Sequence, residues 1–158
     1  MVSTKNIYSL PLNKEDIKIA VSDERAHFGH MKYAIDFPIP EGTKIFAAKS
    51  GTVITVKQDS KEGGYQKKYE NPKYLNFVSI MHASGEISEY CHLKYNGARI
   101  KVGDKVNAKQ LIGLSGNTGY STESHLHFHV AKLNKSKIGW KTLKIKFNEK
   151  IKIIRIEK

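Results

Sequence analysis

Apolar and polar residues alternate in short runs along most of this chain, and glycine, proline or small polar residues separate the runs. A two-residue period is that of a strand with one buried face. Ile17-Lys18-Ile19-Ala20-Val21, Gly51-Thr52-Val53-Ile54-Thr55-Val56 and Leu143-Lys144-Ile145-Lys146-Phe147 all read this way. Ile7-Tyr8-Ser9-Leu10, stopped by Pro11, reads as an edge strand, and Ile151–Ile156 as a last one. No stretch keeps a 3.6-residue apolar period over three turns, so little helix is expected. The pattern predicts an all-β chain, a single domain of packed antiparallel sheets.

Two turns echo one another. Gly42-Thr43-Lys44-Ile45-Phe46-Ala47 and Gly103-Asp104-Lys105-Val106-Asn107-Ala108 share a Gly-x-Lys-(Ile/Val)-x-Ala pattern. This predicts a duplicated β-motif, in a barrel-sandwich-hybrid-like arrangement. Residues 57–73 are polar, glycine-bearing and aperiodic, as expected of a long loop; Tyr65, Tyr69 and Tyr74 could wall a substrate groove there. Asn76–His82 and Glu86–Leu93, joined through Ser84-Gly85, predict a hairpin. By parity Tyr90 and His92 share one face of it, and Cys91 turns with Leu93 into the core.

Chemistry concentrates in Ser124-His125-Leu126-His127-Phe128-His129-Val130. Alternation puts His125, His127 and His129 on one face and Leu126, Phe128 and Val130 on the other, toward a core. A strand face lined with imidazoles suits a metal. Upstream, the segment from His27 to Asp36 adds His30 and a glycine, so it holds two histidines and a carboxylate, which are also zinc-ligand types. His82 and His92 are further candidates. There is no His-Glu-x-x-His, so the helical zincin arrangement is excluded.

At 158 residues the chain suffices for one domain with a real core and is short for two. It carries 27 Lys and Arg against 15 Asp and Glu, a formal charge of +12. The lysines are scattered without interleaved aromatics, so no nucleic-acid partner is expected; anionic wall polymers or a plain solubilising surface fit better. The lone Cys91 excludes a disulfide framework. No run has the length of a membrane span, and Lys5, Lys14, Glu15, Asp16 and Lys18 stand where a signal peptide would be apolar. An export signal is therefore not expected within this chain.

Four segments together resemble the lysostaphin/LytM-type zinc metallopeptidases, a family of peptidoglycan endopeptidases. They are His27-x-Gly29 with Ala34-Ile35-Asp36-Phe37; Gly42-Thr43 through Gly51-Thr52-Val53; Tyr90-Cys91-His92-Leu93; and Val102 through Ser121 followed by His125-Leu126-His127-Phe128. The resemblance implies one zinc per chain, held by His27, Asp36 and His127, with His92 and His125 as catalytic histidines that do not ligate. Three protein ligands would leave zinc a place for water, whose pKa falls from about 15.7 toward about 7. One histidine would accept a proton and the other hydrogen-bond the oxyanion. His30 is the alternative first ligand. On a continuous strand it would stand about 20 Å from Asp36, at about 3.3 Å per residue, so the chain must fold back, and Gly29 permits this.

The implied function is hydrolysis of peptide cross-links in bacterial peptidoglycan by a monomer outside the cytoplasm: secreted, periplasmic or in the cell wall. Residues 1–24 are expected as lead-in strands, 25–131 as the zinc peptidase core and 132–158 as basic closing strands. The alternative is a non-catalytic LytM-like module that binds and regulates a cell-wall amidase. Such a module is expected to have lost ligands, and this chain keeps them. A biotinyl or lipoyl carrier modified at Lys32 is a third reading, but a carrier has no use for the histidines.

Overall fold

The structure, a computed structural model, describes residues 2–158. Its strands are β1 (Ser3–Tyr8), β2 (Ala20–Asp23), β3 (Ile35–Pro38), β4 (Lys44–Phe46), β5 (Gly51–Lys57), β6 (Gly63–Gly64), β7 (Phe77–Met81) and β8 (Glu86–Cys91). The second half adds β9 (Lys105–Val106), β10 (Leu111–Leu114), β11 (Gly119–Tyr120), β12 (His125–Leu133), β13 (Trp140–Thr142), β14 (Lys144–Phe147) and β15 (Ile153–Ile156). Among the described residues the helical segments are short 3-10 turns, so the chain is all-β as its alternation predicts. No helix among them is long and apolar enough to cross a membrane.

Nine strands form one sheet in the order β15-β2-β3-β12-β8-β7-β5-β9, with β13 added to β12. β12 pairs antiparallel with β3 on one side and β8 on the other. The remaining sheets are the pairs β4–β10, β1–β14 and β6–β11. Antiparallel pairing, expected throughout, holds in the centre, but β1–β14, β2–β15 and β6–β11 are parallel. Each of these joins segments distant in sequence, where no hairpin turn forces the antiparallel direction.

Leu126, Phe128 and Val130 of β12 are fully buried in one cluster with Ile35 and Phe37 of β3 and Ile45 and Ile112 of the β4–β10 pair. Burying each such side chain is worth about 1.5–3 kcal/mol, which offsets the cost of the imidazole row on the strand's other face. The sequence echo has a structural counterpart: Gly42 and Gly103 both adopt left-handed φ, at 85° and 92°, and the following Ile45 and Val106 are buried. His82 does not join the histidine strand. Its Nδ1 lies 2.8 Å from the Ser50 carbonyl and its Nε2 2.7 Å from Ser88 Oγ, with the Tyr8 ring edge-on. It is a satisfied buried polar residue, because the core face of β8 carries Ser88 and Tyr90 to meet it.

Candidate metal centre

Three neighbouring strands lay the floor of the site. Asp36 on β3 sits opposite His127 on β12, and His127 opposite Cys91 on β8. His27 is delivered by a tight turn after β2, in which His27 N–H donates to the Asp23 carbonyl at 2.7 Å and Asp23 grips Arg25. Gly29 then reverses the chain at φ 61°, and a 3-10 turn over Gly29–Met31 leads back to β3. The fold-back expected between His27 and Asp36 is present. His27 Nε2 lies 2.6 Å from Asp36 Oδ2, and His127 Nδ1 3.2 Å from Asp36 Oδ1.

One donor atom each from His27, Asp36 and His127 lie within 4.8 Å of one another. Despite the proximity of His127, Asp36 Oδ1 is buried without a hydrogen-bond partner among the described residues. Burial alone would raise the Asp36 pKa; the neighbouring rings of His127 and His27 outweigh it and hold the carboxyl well below the usual range. Two nitrogens and an ionised, under-satisfied carboxylate converging on one point make a donor set that zinc accepts.

His92 and His125 stand beside this trio, their ring centroids 4.4 Å apart. His92 takes φ 66°, a left-handed conformation that costs a non-glycine residue of order 1–3 kcal/mol and persists where surroundings impose it. They do: His92 Nδ1 is 2.6 Å from the Thr118 carbonyl, and Gly116 N–H donates to the His92 carbonyl at 2.9 Å. Burial first, then the nearby His125 and His127, lower the His92 pKa to about 3, so the ring is neutral at ordinary pH. His125 Nδ1 lies 2.8 Å from the Glu123 carbonyl, and its Nε2 is 3.7 Å from Asp36 Oδ1.

The remaining predicted residues divide. His30 turns away from Asp36 and meets Trp140 edge-on, centroids 4.6 Å apart. Cys91 is buried, as expected, but it does not share a face with Leu93: Tyr90 enters the core, Cys91 turns to the cavity, and the left-handed turn at His92 breaks the alternation so that His92 lines that cavity too. Burial, then Glu89, push the Cys91 thiol pKa well up, which keeps it inert. That cavity, about 370 Å³, also draws on Leu75, Glu89, His129 and Trp140. Leu75 lines it, whereas Tyr69 and Tyr74 meet each other edge-on and Tyr65 is exposed. Sequence reasoning missed Trp140 and Glu89 because each reaches the site through sheet pairing, which no local motif announces; Glu89, opposite His129 on β8, shares the parity of Cys91, and assigning Cys91 to the core hid it.

The sequence profile of Peptidase family M23 matches residues 30–139. An uncharacterised metalloprotease of Buchnera aphidicola subsp. Baizongia pistaciae is 40% identical over 110 residues, covering 70% of this chain and 25% of the relative. Lysostaphin of Staphylococcus simulans is 39% identical over 102 residues, 63% of this chain and 18% of that protein. The chain thus spans a quarter or less of the length of these relatives. Among solved structures, a zinc-containing peptidase from Vibrio cholerae superposes with a TM-score of 0.58 at 25% identity, covering 79% of this chain and 36% of the other. The catalytic domain of S. simulans lysostaphin does so with a TM-score of 0.53 at 28% identity, over 89% of this chain and 88% of the domain. With both a family profile over most of the chain and the same fold in solved relatives, this protein belongs to peptidase family M23.

Proposed function

We propose that the chain is a zinc-dependent endopeptidase that hydrolyses peptide cross-links in bacterial peptidoglycan. The observation that carries the reading is the convergence of His27, Asp36 and His127 around a buried carboxylate oxygen that lacks a partner. Those three residues would hold the metal. Zinc, when bound there, supplies a Lewis acid and a nucleophile generated from water at neutral pH.

The chain's own part is proton handling and orientation. With Nδ1 of each ring donating to a backbone carbonyl, His92 and His125 are fixed in the tautomer that leaves Nε2 unprotonated, ready to accept a proton. One of the two accepts the proton of the attacking water. The other takes up a proton from solvent at Nε2 and, as the imidazolium, donates that N–H to the oxyanion as the amide carbonyl is attacked. The cavity beside His92 is lined by Leu75 and Trp140, which offer apolar surface to a bound peptide. Relatives that include a peptidoglycan DD-endopeptidase, ShyA of Vibrio cholerae, support peptidoglycan as the substrate and a site of action at the cell wall. The +12 charge suits contact with anionic wall polymers.

Retention of the full donor set and of both flanking histidines favours catalysis over an amidase-regulating role. The test is the mass of soluble fragments released from purified peptidoglycan with and without a chelator. Peptide-linked fragments that disappear on chelation and return with added zinc are expected. Undiminished release by metal-free protein would overturn the reading.

A further inference from the structure

Behind His127 stands a second buried histidine that the proposed reaction does not use. His129, 2% exposed, places its Nδ1 2.9 Å from His127 Nε2. Its own Nε2 is 4.0 Å from Glu89 Oε1, the carboxylate directly opposite it on β8. Glu89 is held in turn: Ser79 Oγ, on β7, donates to its Oε2 at 2.9 Å. Trp140 stacks on the His129 ring at an interplanar angle of 14° and fixes its rotation.

We infer that His129 and Glu89 are positioning residues for the metal, a proton-ordered relay that fixes the tautomer and orientation of His127. The inference rests on His127 being a zinc ligand. A neutral imidazole presents a lone pair on one nitrogen and a proton on the other. If His127 offers Nδ1 to the metal, its Nε2 carries the proton and donates to His129 Nδ1. His129 must then accept there and carry its own proton on Nε2, on the side of Glu89. The opposite order would put a proton on His127 Nδ1, on the side of Asp36 but out of line for a hydrogen bond to Oδ1. That oxygen makes no hydrogen bond although the nitrogen is 3.2 Å away. The order that ends on the carboxylate is the one the geometry accommodates. Fixing a ligating histidine through its far nitrogen raises its basicity and spares the metal the work of orienting it.

The test measures zinc affinity by competition with a chromophoric chelator, in the wild type and in His129→Phe, His129→Gln and Glu89→Gln. Phe keeps the ring stacked on Trp140 but offers no acceptor; Gln restores one. Loss of a partner of this kind costs about 10–100-fold in metal affinity. His129→Phe is therefore expected to weaken zinc binding by that factor, His129→Gln to recover most of it, and Glu89→Gln to weaken it less. Adding Glu89→Gln to His129→Phe should cost nothing more, since Glu89 acts through His129. The visible spectrum of the cobalt-substituted proteins gives a second readout, shifted in His129→Phe and near wild type in His129→Gln. If the Phe variant does not fold, the Glu89→Gln result decides in its place. Zinc affinity within twofold of wild type in a folded His129→Phe, or in Glu89→Gln where Phe does not fold, overturns the relay alone. A wild-type chain that binds no zinc overturns the metal reading and the relay with it.

Discussion

His92 and His125 face each other at 4.4 Å between ring centroids, and each has its Nδ1 pinned by a backbone carbonyl, Thr118 for the first and Glu123 for the second. Neither is anchored through the nitrogen that a proton transfer would use. His92→Ala and His125→Ala are therefore each expected to lower turnover by about 10²–10⁴-fold, the usual worth of a positioned acid or base, with zinc retained. His127→Ala should lose the metal instead. Metal content and turnover on the same preparations check this, and zinc loss from His125→Ala with retention by His127→Ala would reverse the roles.

The first ligand is decided by a comparison of His27→Ala with His30→Ala. His27 Nε2 touches Asp36 Oδ2 at 2.6 Å, whereas His30 is occupied by Trp140. Zinc and activity should both vanish from His27→Ala. His30→Ala should keep its zinc and lose no more than a modest factor in turnover through a loosened Trp140. The reverse pattern in metal analysis would move the ligand to His30.

These residues also mark what the sequence made legible. Alternation placed His125, His127 and His129 on one face because β12 is a regular strand with an apolar back of Leu126, Phe128 and Val130. The same rule failed two strands' worth of residues earlier, at Cys91, because His92 takes a left-handed φ that side-chain parity cannot anticipate. The constraint imposing it is the Gly116–Thr118 backbone, more than twenty residues downstream. The sequence leaves His82 open as a site residue, and only its partners Ser88, across the hairpin, and Ser50, just before β5, resolve it. Local pattern reported faces; long-range pairing decided which histidines meet.

Acid should destabilise the fold partly through His82. Burial, and secondarily Lys49, lower its pKa below the ordinary value, against the opposing effects of the Ser50 carbonyl and Glu86. The unfolded chain then binds a proton below about pH 6.5 that the folded chain refuses, so stability falls as pH drops through that value toward the folded pKa. Its neighbours do not titrate in that window: Glu86, buried but bonded by Lys5 and Asn6 N–H, is held below its usual pKa, and burial beside Glu86 pushes Tyr8 far up. His82→Gln is expected to cost about 1–3 kcal/mol at pH 7 through the Ser50 and Ser88 contacts, and to flatten the dependence of unfolding on pH between 7 and 5. Denaturant midpoints across that range, with chelator present, measure it; parallel slopes in the two proteins would rule His82 out.

Gly116 is expected to control catalysis without touching metal or substrate. A Cβ at this position would lie 2.6 Å from the Lys94 backbone nitrogen and 2.7 Å from Lys94 Cα, and no flexible side-chain tip is there to yield. The backbones of residues 93–94 and 115–116 are tied by the Leu93–Ser115 bridge, and the same loop supplies the Thr118 carbonyl that holds His92 Nδ1. Gly116→Ala must therefore push this loop off the end of β8, with an overpacking cost of about 1–3 kcal/mol. The candidate ligands sit on β3, β12 and the turn after β2, which the displacement does not reach. Because a shift of about 1 Å in a catalytic group can cost about 10²-fold, turnover should fall by about that factor while zinc affinity changes little. Thr118→Val is the companion variant: it keeps the carbonyl but removes the Oγ1 donor to Leu93 O, and a smaller loss of the same kind is expected. Turnover, zinc affinity and unfolding midpoint measured together separate the outcomes. A folded Gly116→Ala protein with near wild-type turnover would show that His92 does not depend on this loop, and concurrent zinc loss would place the loop's influence on β12 instead.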